Sequence, residues 1–487
     1  MKGIFTLVCC LLVGFVFGQV PFRSAVVTGN WNVNGSWEQF IAGSWVPATA
    51  TPTSANSSAI TILSGHAINY TTAANTLIDQ TIVESGSTLI ISAGTLSVQA
   101  GAGVDLQIDG TVQLVNAILR ANQVASLIVV NGVMNNNGSV SNTSTTKLQF
   151  GPSSIYNHEN VTPGIIPSAT WMNGSICKII ADVSSAPAGL NQSFYDFEWN
   201  TPVLGSDADL NSQLTTVRHN LAITNTGQSF VYLAQGAPLN LTVQNDFTIA
   251  ANAKFAFTID GDLSIDITND FVSSSTSLIG TYGIGNVDLN VGNDVTLASG
   301  TFDVAGVDPG QGLSGSGVTT FSITGDYTNT SASIIMSGTS LGSVMQFSGN
   351  GPHTFSSTFV PTYPIDYSIT GTGNLSVGAS SFLAGPGALD VGLGSSLTLL
   401  SVDTNGALRN GTAGGNVQVT GARTYTGTIV YGQLRCSTWL YSILERLRQE
   451  STTLVAFQCW AVLTFQRDPL HHLILTMASC ALKTTPR

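Results

Sequence analysis

Apolar and polar residues alternate along most of this chain in short runs, with the period of a β-strand. Between Ser87 and Val115, Gly94 and Gly110 separate such runs, and glycine fits corners that need a positive φ. Within each run the apolar residues recur at every second position, which is typical of a strand with one buried face. These positions are Leu89 and Ile91, Leu96 and Val98, Leu106 and Ile108, and Val112 and Leu114. The pattern predicts short strands joined by tight corners.

Aspartates recur further along the chain at spacings that are all multiples of eight. They belong to a short repeated motif and are Asp246, Asp262, Asp270, Asp294 and Asp326. A strand and its corner take about eight residues, so three of them give about 24 residues for one turn of a parallel β-helix. We therefore predict an all-β protein built as a right-handed parallel β-helix, or β-solenoid. A string of antiparallel sandwiches is the alternative.

The chain changes character after Gly432. The segment 433–487 contains no glycine and no asparagine, but it holds six of the fifteen basic residues and three of the six cysteines. The stretches "WLYSILERLRQE" and "LVAFQCWAVLTF" have patterns that favour helices. We interpret residues 433–487 as an atypical tail, either helical or disordered. A shift of reading frame explains the change of composition better than a second domain does.

Residues 1–18 have the pattern of a signal peptide. A single basic residue, Lys2, precedes an apolar stretch from Ile4 to Phe17, and small residues allow cleavage before Gln19. The expected location is therefore secreted or at the cell surface. A net charge of −12 argues against nucleic acid or an anionic membrane surface as a partner. We expect the chain to meet a membrane only through the export machinery.

Residues 19–75 form a head that is rich in tryptophan, and residues 76–432 form the predicted solenoid body. Trp31, Trp37 and Trp45 lie close together in the head. Aromatic rings at this density suit stacking on the flat faces of sugars, so these three residues are the candidates for glycan stacking. We favour the other interpretation, a hydrophobic cap on the first turn, since stacked repeats need capping at their ends.

Candidate chemistry in the body is sparse. The motif "GTSLG" around Ser340 fits a nucleophile elbow, but no helical pattern follows it. Arg218 and His219 are neighbours, and on a strand their side chains would point to opposite faces. Four aspartates suggest either a Ca²⁺ site or a solvated ladder at a corner: Asp260, Asp262, Asp266 and Asp270. We predict no catalytic residues and no cofactor, with Ca²⁺ as the open alternative.

Three stretches resemble large surface proteins exported by the type IX secretion pathway. The first is carried by Gly29-Asn30-Trp31, Trp45-Val46-Pro47 and "ITILSGHAI" (60–68), the second covers residues 156–200, and the third covers residues 410–431. In such proteins a cysteine often follows the Trp-Asn pair, where this chain has Thr201, so the resemblance implies that Cys177 has lost its partner. Their C-terminal sorting domain has no counterpart here. This implies a truncated or frameshifted chain.

The resemblance implies a β-solenoid adhesin. We therefore expect an adhesin-like structural or binding protein, not an enzyme, with glycans or cell surfaces as its partners. The alternative is a polysaccharide-active protein, a lyase or a hydrolase, or a carbohydrate-binding β-helix. A lyase needs a base and a cation to neutralise the carboxylate of a uronic acid, and the eight basic residues between Gln19 and Gly432 do not cluster in the sequence.

Overall fold

The computed structural model describes residues 18–370 except residues 163, 183–184, 309–311, 341 and 358–364. Beyond residue 370 it describes mainly the backbone of short strands up to residue 477. Except for Gly18, the predicted signal peptide lies outside the described residues. The chain divides into two compact units, residues 1–154 (the N-terminal unit) and residues 155–487 (the C-terminal unit). The predicted boundaries at residues 75 and 432 stay predictions.

The N-terminal unit is a β-solenoid of parallel stacked strands. Its first sheet has the order β15-β13-β11-β8-β5-β1-β3-β4. Its second sheet stacks β2, β6, β9, β12 and β14 in this order, while β7 pairs with β10 and β10 pairs with the second half of β12. A short 3₁₀ helix lies at Asn34–Ser36. The strands are β1 Val20–Ser24, β2 Thr28–Asn30, β3 Trp37–Ile41, β4 Ser44–Pro47, β5 Ser57–Ile62, β6 Ala67–Tyr70, β7 Asn75–Ile78, β8 Thr81–Val83, β9 Thr88–Ile91, β10 Thr95–Val98, β11 Leu106–Ile108, β12 Thr111–Ala121, β13 Ile128–Val130, β14 Val133–Ser141 and β15 Leu148–Phe150.

The apolar residues of the alternating pattern lie in the core of this unit, as the sequence predicts. All eight apolar residues named for the stretch from Ser87 to Val115 are fully buried. Their strands pair in parallel register with the turn before and the turn after, so that Leu89 lies level with Val112. Because each buried aliphatic side chain contributes about 1.5–3 kcal/mol, the stacked inward residues supply a continuous apolar core. The solenoid is confirmed, and the antiparallel sandwich is wrong for the described turns. The hand of the coil stays a prediction.

The C-terminal unit is also a β-solenoid. One sheet has the order β19-β22-β24-β26-β29-β34-β37-β39-β41-β44-β46. The strands are β16 Ile155–His158, β17 Thr170–Trp171, β18 Ile176–Ile179, β19 Ser193–Phe194, β20 Asp196–Asn200, β21 Ala208–Asp209, β22 Thr216–Val217, β23 Leu221–Ala234, β24 Leu239–Val243, β25 Phe247–Thr258, β26 Leu263–Ile267, β27 Phe271–Ser273, β28 Ser277–Thr281, β29 Val287–Val291, β30 Val295–Leu297, β31 Thr301–Ala305, β32 Val307–Asp308, β33 Leu313–Ser314, β34 Thr319–Ile323, β35 Tyr327–Asn329, β36 Ser333–Ile335, β37 Val344–Phe347, β38 Pro352–Ser357, β39 Asp366–Ile369, β40 Asn374–Val377, β41 Leu389–Val391, β42 Ser396–Leu399, β43 Leu408–Arg409, β44 Asn416–Val419, β45 Ile429–Val430, β46 Gln433–Cys436, β47 Leu463–Arg467 and β48 Leu473–Met477.

Its turns have the predicted length and the predicted three strands. Phe247 pairs with Phe271, which in turn pairs with Val295, so each step spans one predicted turn. One such turn consists of β26, β27 and β28, and the next consists of β29, β30 and β31. The spacing of the aspartates therefore correctly predicts the length of a turn. The longer step from Asp294 to Asp326 accommodates the hairpin of β32 and β33.

The tail is described only in part. Strand β46, Gln433–Cys436, pairs in parallel with β44, so a solenoid strand continues past Gly432. Strands β47 and β48 form an antiparallel pair. Of the two segments with helical patterns, the first lies outside the described residues, while the end of the second, 463–465, belongs to a strand. For that end the helical expectation is wrong.

Candidate functional site: the hairpin face of the N-terminal unit

An antiparallel hairpin ends the first sheet of the N-terminal unit. Strands β3 and β4 are joined by Ala42 and Gly43, whose φ values are 50° and 85°. Positive φ at both central residues is the signature of a type I′ turn, whose twist matches that of the two strands. Because β3 pairs antiparallel to β1, the hairpin covers the end of the parallel ladder. It is the structural core of the tryptophan-rich cap.

The three tryptophans of the head differ in burial, and for Trp37 and Trp45 the periodicity of the hairpin strands decides it. Trp37 points inward and is 1% exposed, and it lies edge-on to Trp31, which is 0% exposed, with ring centroids 4.9 Å apart. The Nε1–H of Trp37 donates to the carbonyl of Trp31 at 2.8 Å, and that of Trp31 donates to the carbonyl of Pro52 at 3.1 Å. The structure therefore leaves neither ring a face that a sugar can reach, and both residues serve the cap.

Trp45 lies on the other face of the hairpin. It is opposite Phe40 in the register, with ring centroids 5.2 Å apart. Phe40 is 38% exposed and Trp45 is partly exposed. Of the three tryptophans predicted to stack on glycans, Trp45 alone keeps part of its ring in solvent.

Two charged side chains complete this face. The guanidinium of Arg23 lies 4.3 Å from the centre of the Trp45 ring and donates to Glu38 at 2.7 and 2.8 Å. Both charged side chains are about one-third exposed, so the ion pair itself adds at most about 1 kcal/mol to stability. The pair and the ring hold one another in place. We call Arg23, Glu38, Phe40 and Trp45 the hairpin face.

The hairpin face places an aromatic ring beside a cation and a carboxylate. An aromatic ring offers a surface for the C–H face of a pyranose, and cations and C–H groups are attracted to such rings. A guanidinium and a carboxylate beside the ring supply planar donors and acceptors for hydroxyl groups. The two-residue turn joins the strands that carry Glu38, Phe40 and Trp45, and Arg23 reaches this face from the neighbouring strand β1.

The aspartates of the C-terminal unit form a ladder along one corner of the solenoid. Asp270 Oδ1 accepts the side-chain amide of Asn293 at 2.7 Å and the backbone N–H of Asp294 at 3.1 Å. Asp246 accepts the same two donors one turn earlier, from Asn269 at 2.6 Å and from Asp270 at 3.2 Å. Asp294 accepts the N–H of Asp326 at 2.8 Å. Each carboxylate thus ties its own turn to the next one.

The four aspartates with a predicted Ca²⁺ alternative are all used in such contacts. Each accepts a hydrogen bond from a neighbouring turn, donated by the backbone N–H of Gly236 to Asp260, by that of Asn286 to Asp262, by the side chain of Asn290 to Asp266, and by that of Asn293 to Asp270. Among the described residues, no group of three or more His, Cys, Asp or Glu side chains is arranged to hold a metal ion.

The ladder begins with a cluster that the sequence did not predict. Asp196 Oδ1 lies 2.8 Å from His219 Nδ1 and accepts the backbone N–H of Asn220, also at 2.8 Å. The ring of Tyr195 stacks on His219 with centroids 4.8 Å apart, and the guanidinium of Arg218 lies 5.6 Å from the centre of the Tyr195 ring. His219 therefore takes the place that asparagine side chains take in later turns.

The strand assumed for Arg218 and His219 is wrong, so the rule that strand neighbours point to opposite faces does not apply to them. Both residues lie in a bend between β22 and β23 and not within a strand. Arg218 donates to the carbonyl of Trp171 and to Asn173, so its side chain reaches back across the corner. The sequence contains a signal for this cluster. The pair His219-Asn220 directly precedes β23, just as the pair Asn245-Asp246 directly precedes β25 one turn later.

Ser340 does not form a nucleophile elbow in the described structure. It is 0% exposed, and its hydroxyl lies 3.3 Å from that of Ser343. A nucleophile elbow requires an exposed oxygen above a strand-to-helix turn. Cys177 is a buried free thiol, and its burial raises its pKa well above the ordinary value. Such a thiol is a packing residue.

Comparisons with protein-family models, with curated proteins and with solved structures find no match to the chain. Within the part of the chain that the structure describes, no helix has the length and hydropathy needed to cross a membrane.

Proposed function

We propose that the chain is an adhesin-like protein, secreted or displayed at the cell surface, that binds glycans or cell surfaces through the hairpin face. One observation carries this proposal: Trp45 is partly exposed next to Phe40, and Arg23 and Glu38 are fixed beside its ring. A solenoid supports such a role because it displays a binding surface on a long, rigid scaffold. The signal-peptide pattern and the resemblance to type IX surface proteins support the location.

Binding to immobilised polysaccharides tests this proposal. The full chain is applied to cellulose, chitin, xylan and alginate surfaces, and the same panel is repeated with Trp45→Ala. Loss of an aromatic contact at the centre of a binding site costs about 2 kcal/mol or more, so we expect affinity to fall by roughly 30-fold or more. Val124→Ala is the matched control, since Val124 is 90% exposed in the same unit. The proposal fails if no surface retains the protein or if Trp45→Ala binds as the wild type does.

A polysaccharide-active protein is the second candidate, and the cluster at the start of the ladder favours it. An imidazole oriented by Asp196 and the guanidinium of Arg218 both contact the ring of Tyr195, and a uronate lyase needs a base and a cation. Incubation with alginate and polygalacturonate, followed by the ultraviolet absorbance of the unsaturated product, tests it. We expect no product if the first proposal holds, and a product that His219→Ala abolishes if the second does.

We also propose that residues after about 432 derive from a shifted reading frame. The absence of glycine and asparagine from the segment 433–487 supports this. Sequencing the gene across codons 425–440 and translating all three frames tests it. A second frame that continues with glycine- and asparagine-rich turns supports the proposal, whereas an open frame only for the present tail overturns it.

A further inference from the structure

The cation and the carboxylate of the hairpin face are paired by the register of the sheet. Arg23 on β1 lies directly opposite Glu38 on β3, so their side chains emerge on the same face of two neighbouring antiparallel strands. Nε and Nη2 of Arg23 both contact a single oxygen, Glu38 Oε2, at 2.8 and 2.7 Å. The same guanidinium lies against the Trp45 ring. The pair is therefore in place before a ligand arrives, which reduces the cost of ordering it on binding.

This pairing leaves one donor group and one acceptor atom for a ligand. A guanidinium has five N–H groups, and an ionised carboxylate has two oxygens that only accept. Arg23 Nη1 and Glu38 Oε1 make no hydrogen bond with the described residues of the chain. Both side chains are about one-third exposed, so the pair lies at the surface. A hydroxyl group both donates and accepts, so two neighbouring hydroxyls of a sugar can satisfy both atoms together.

The pairing also cancels the charge of the hairpin face. Between Gln19 and Asn75, Arg23 and Glu38 are the only residues of the types Lys, Arg, Asp and Glu, and the next basic residue is Arg120. The one cation of the head is thus neutralised by its one carboxylate. The whole chain has a net charge of −12, so its overall field does not attract an anionic polymer to this neutral face.

A uronic-acid polymer matches this arrangement poorly. Its ionised carboxylate can only accept hydrogen bonds, so it cannot pair with Glu38 Oε1. To reach Arg23 it must approach the carboxylate of Glu38, and two like charges in close contact repel each other. The hydroxyl groups of a neutral sugar meet neither obstacle.

We propose that the hairpin face selects neutral glycans over uronic-acid polymers, and that Glu38 is the residue that sets this specificity. The inference rests on the glycan binding proposed above and adds to it the class of sugar. Glu38 acts in two ways: it offers an acceptor to a sugar hydroxyl, and it occupies the guanidinium that would otherwise pair with the carboxylate of a ligand.

Binding of the full chain to neutral and acidic polymers tests the specificity. Cellulose and chitin are the neutral surfaces, alginate is the uronic-acid surface, and apparent Kd values are measured for the wild type and for Trp45→Ala. Alginate that binds elsewhere on the chain is still bound by Trp45→Ala, so only the part that depends on Trp45 is compared. We expect the wild type to bind at least one neutral polymer about tenfold more tightly than alginate, because of the charge repulsion at Glu38.

Glu38→Gln tests the role of the carboxylate. The variant keeps the shape of the side chain and leaves Arg23 without an opposite charge, so the affinity for alginate should rise by about tenfold at low salt and fall again when NaCl is added. The affinity for the neutral polymer should change by less than about threefold, since a glutamine amide still offers an oxygen to a hydroxyl. Glu84→Gln is the matched control. It removes one negative charge from the same unit, but the carboxylate of Glu84 accepts the N–H of Ser64 instead of pairing with Arg23.

The outcomes separate a failure of this inference from a failure of glycan binding. If no polymer retains the protein, or if Trp45→Ala binds as the wild type does, the hairpin face binds no glycan and both proposals fall. If binding depends on Trp45 but the wild type prefers alginate, glycan binding stands and the specificity is overturned. The specificity is also overturned if Glu38→Gln gains no more affinity for alginate than Glu84→Gln does.

Discussion

The two units place the connecting aspartates of their corners in different surroundings. In the C-terminal unit, the partly exposed Asp270 receives two donors from the next turn, the side chain of Asn293 and the N–H of Asp294. In the N-terminal unit, the fully buried Asp105 receives two backbone donors, the N–H of Gly101 from its own turn and that of Leu127 from the next. The same residue type therefore connects turns near the surface in one unit and in a buried corner in the other. The register of the adjacent turns decides which donors each carboxylate meets.

The ladder also contains a natural substitution. Asn220 occupies the place of Asp246 one turn earlier, and its Oδ1 accepts the side chain of Asn245 at 2.8 Å and the N–H of Asp246 at 3.3 Å. The acceptor oxygen is thus the essential feature of this position, and the negative charge is not. Stacked carboxylates even repel each other, since strands are about 4.8 Å apart and such a repulsion reaches about 1 kcal/mol in water.

The largest effect is expected where the ladder leaves no space for a side chain. A Cβ at Gly325 would lie 2.4 Å from Asp294 Oδ1 and 2.5 Å from the backbone of Asn293. Gly325→Ala should lower the free energy of unfolding of the C-terminal unit by about 3 kcal/mol, because backbone and ladder must both move. Urea denaturation measures this. Gly351→Ala is the control, since nothing lies within 4 Å of a Cβ there; equal losses for both variants would contradict a tight corner.

The next effect comes from removing a ladder acceptor. Asp270→Ala leaves the N–H of Asp294 without its acceptor and leaves the side chain of Asn293 only the longer hydrogen bond to Asn269 at 3.4 Å, so we expect a loss of about 2 kcal/mol in urea denaturation. Asp270→Asn keeps the acceptor oxygen and removes one charge, so its stability should lie within about 0.5 kcal/mol of the wild type. If Asp270→Asn costs as much as Asp270→Ala, the charge matters and the account of the ladder is wrong.

The smallest effect is expected at Gly101 of the N-terminal unit. Gly101→Ala places a methyl group against the carboxylate of Asp79, which can move, so the free energy of unfolding should fall by about 1 kcal/mol in urea denaturation. Gly35→Ala, at a residue with open space around its Cβ, should lie within about 0.5 kcal/mol of the wild type. If both variants lose the same stability, Gly101 is not packed against Asp79.

Local pattern was sufficient to predict the strands. Leu89, Ile91, Leu96 and Val98 alternate with polar residues and are all buried, because a strand places every second side chain on one face. The recurring aspartates predicted a turn of about 24 residues, since equivalent corners of a solenoid carry equivalent residues.

The candidate site was only partly predictable. The sequence alone does not distinguish Trp31, Trp37 and Trp45. In the structure the first two are buried, whereas the pairing of β1, β3 and β4 leaves the third partly exposed beside Arg23. The cluster of Asp196, Arg218 and His219 was missed because a bend replaces the strand assumed for the last two residues. A bend of this kind depends on contacts with the previous turn.

The sequence by itself determined the period of the strands, the length of a turn and the residues of the core, because these depend on spacings along the chain. The tertiary structure alone decided which donors each aspartate meets. Asp105 accepts the backbone N–H of Leu127, and Asp270 accepts the side chain of Asn293, only when neighbouring turns stack in one register. A shift of a single residue would reverse the faces of the strand, so these contacts are set by how the turns stack within each unit.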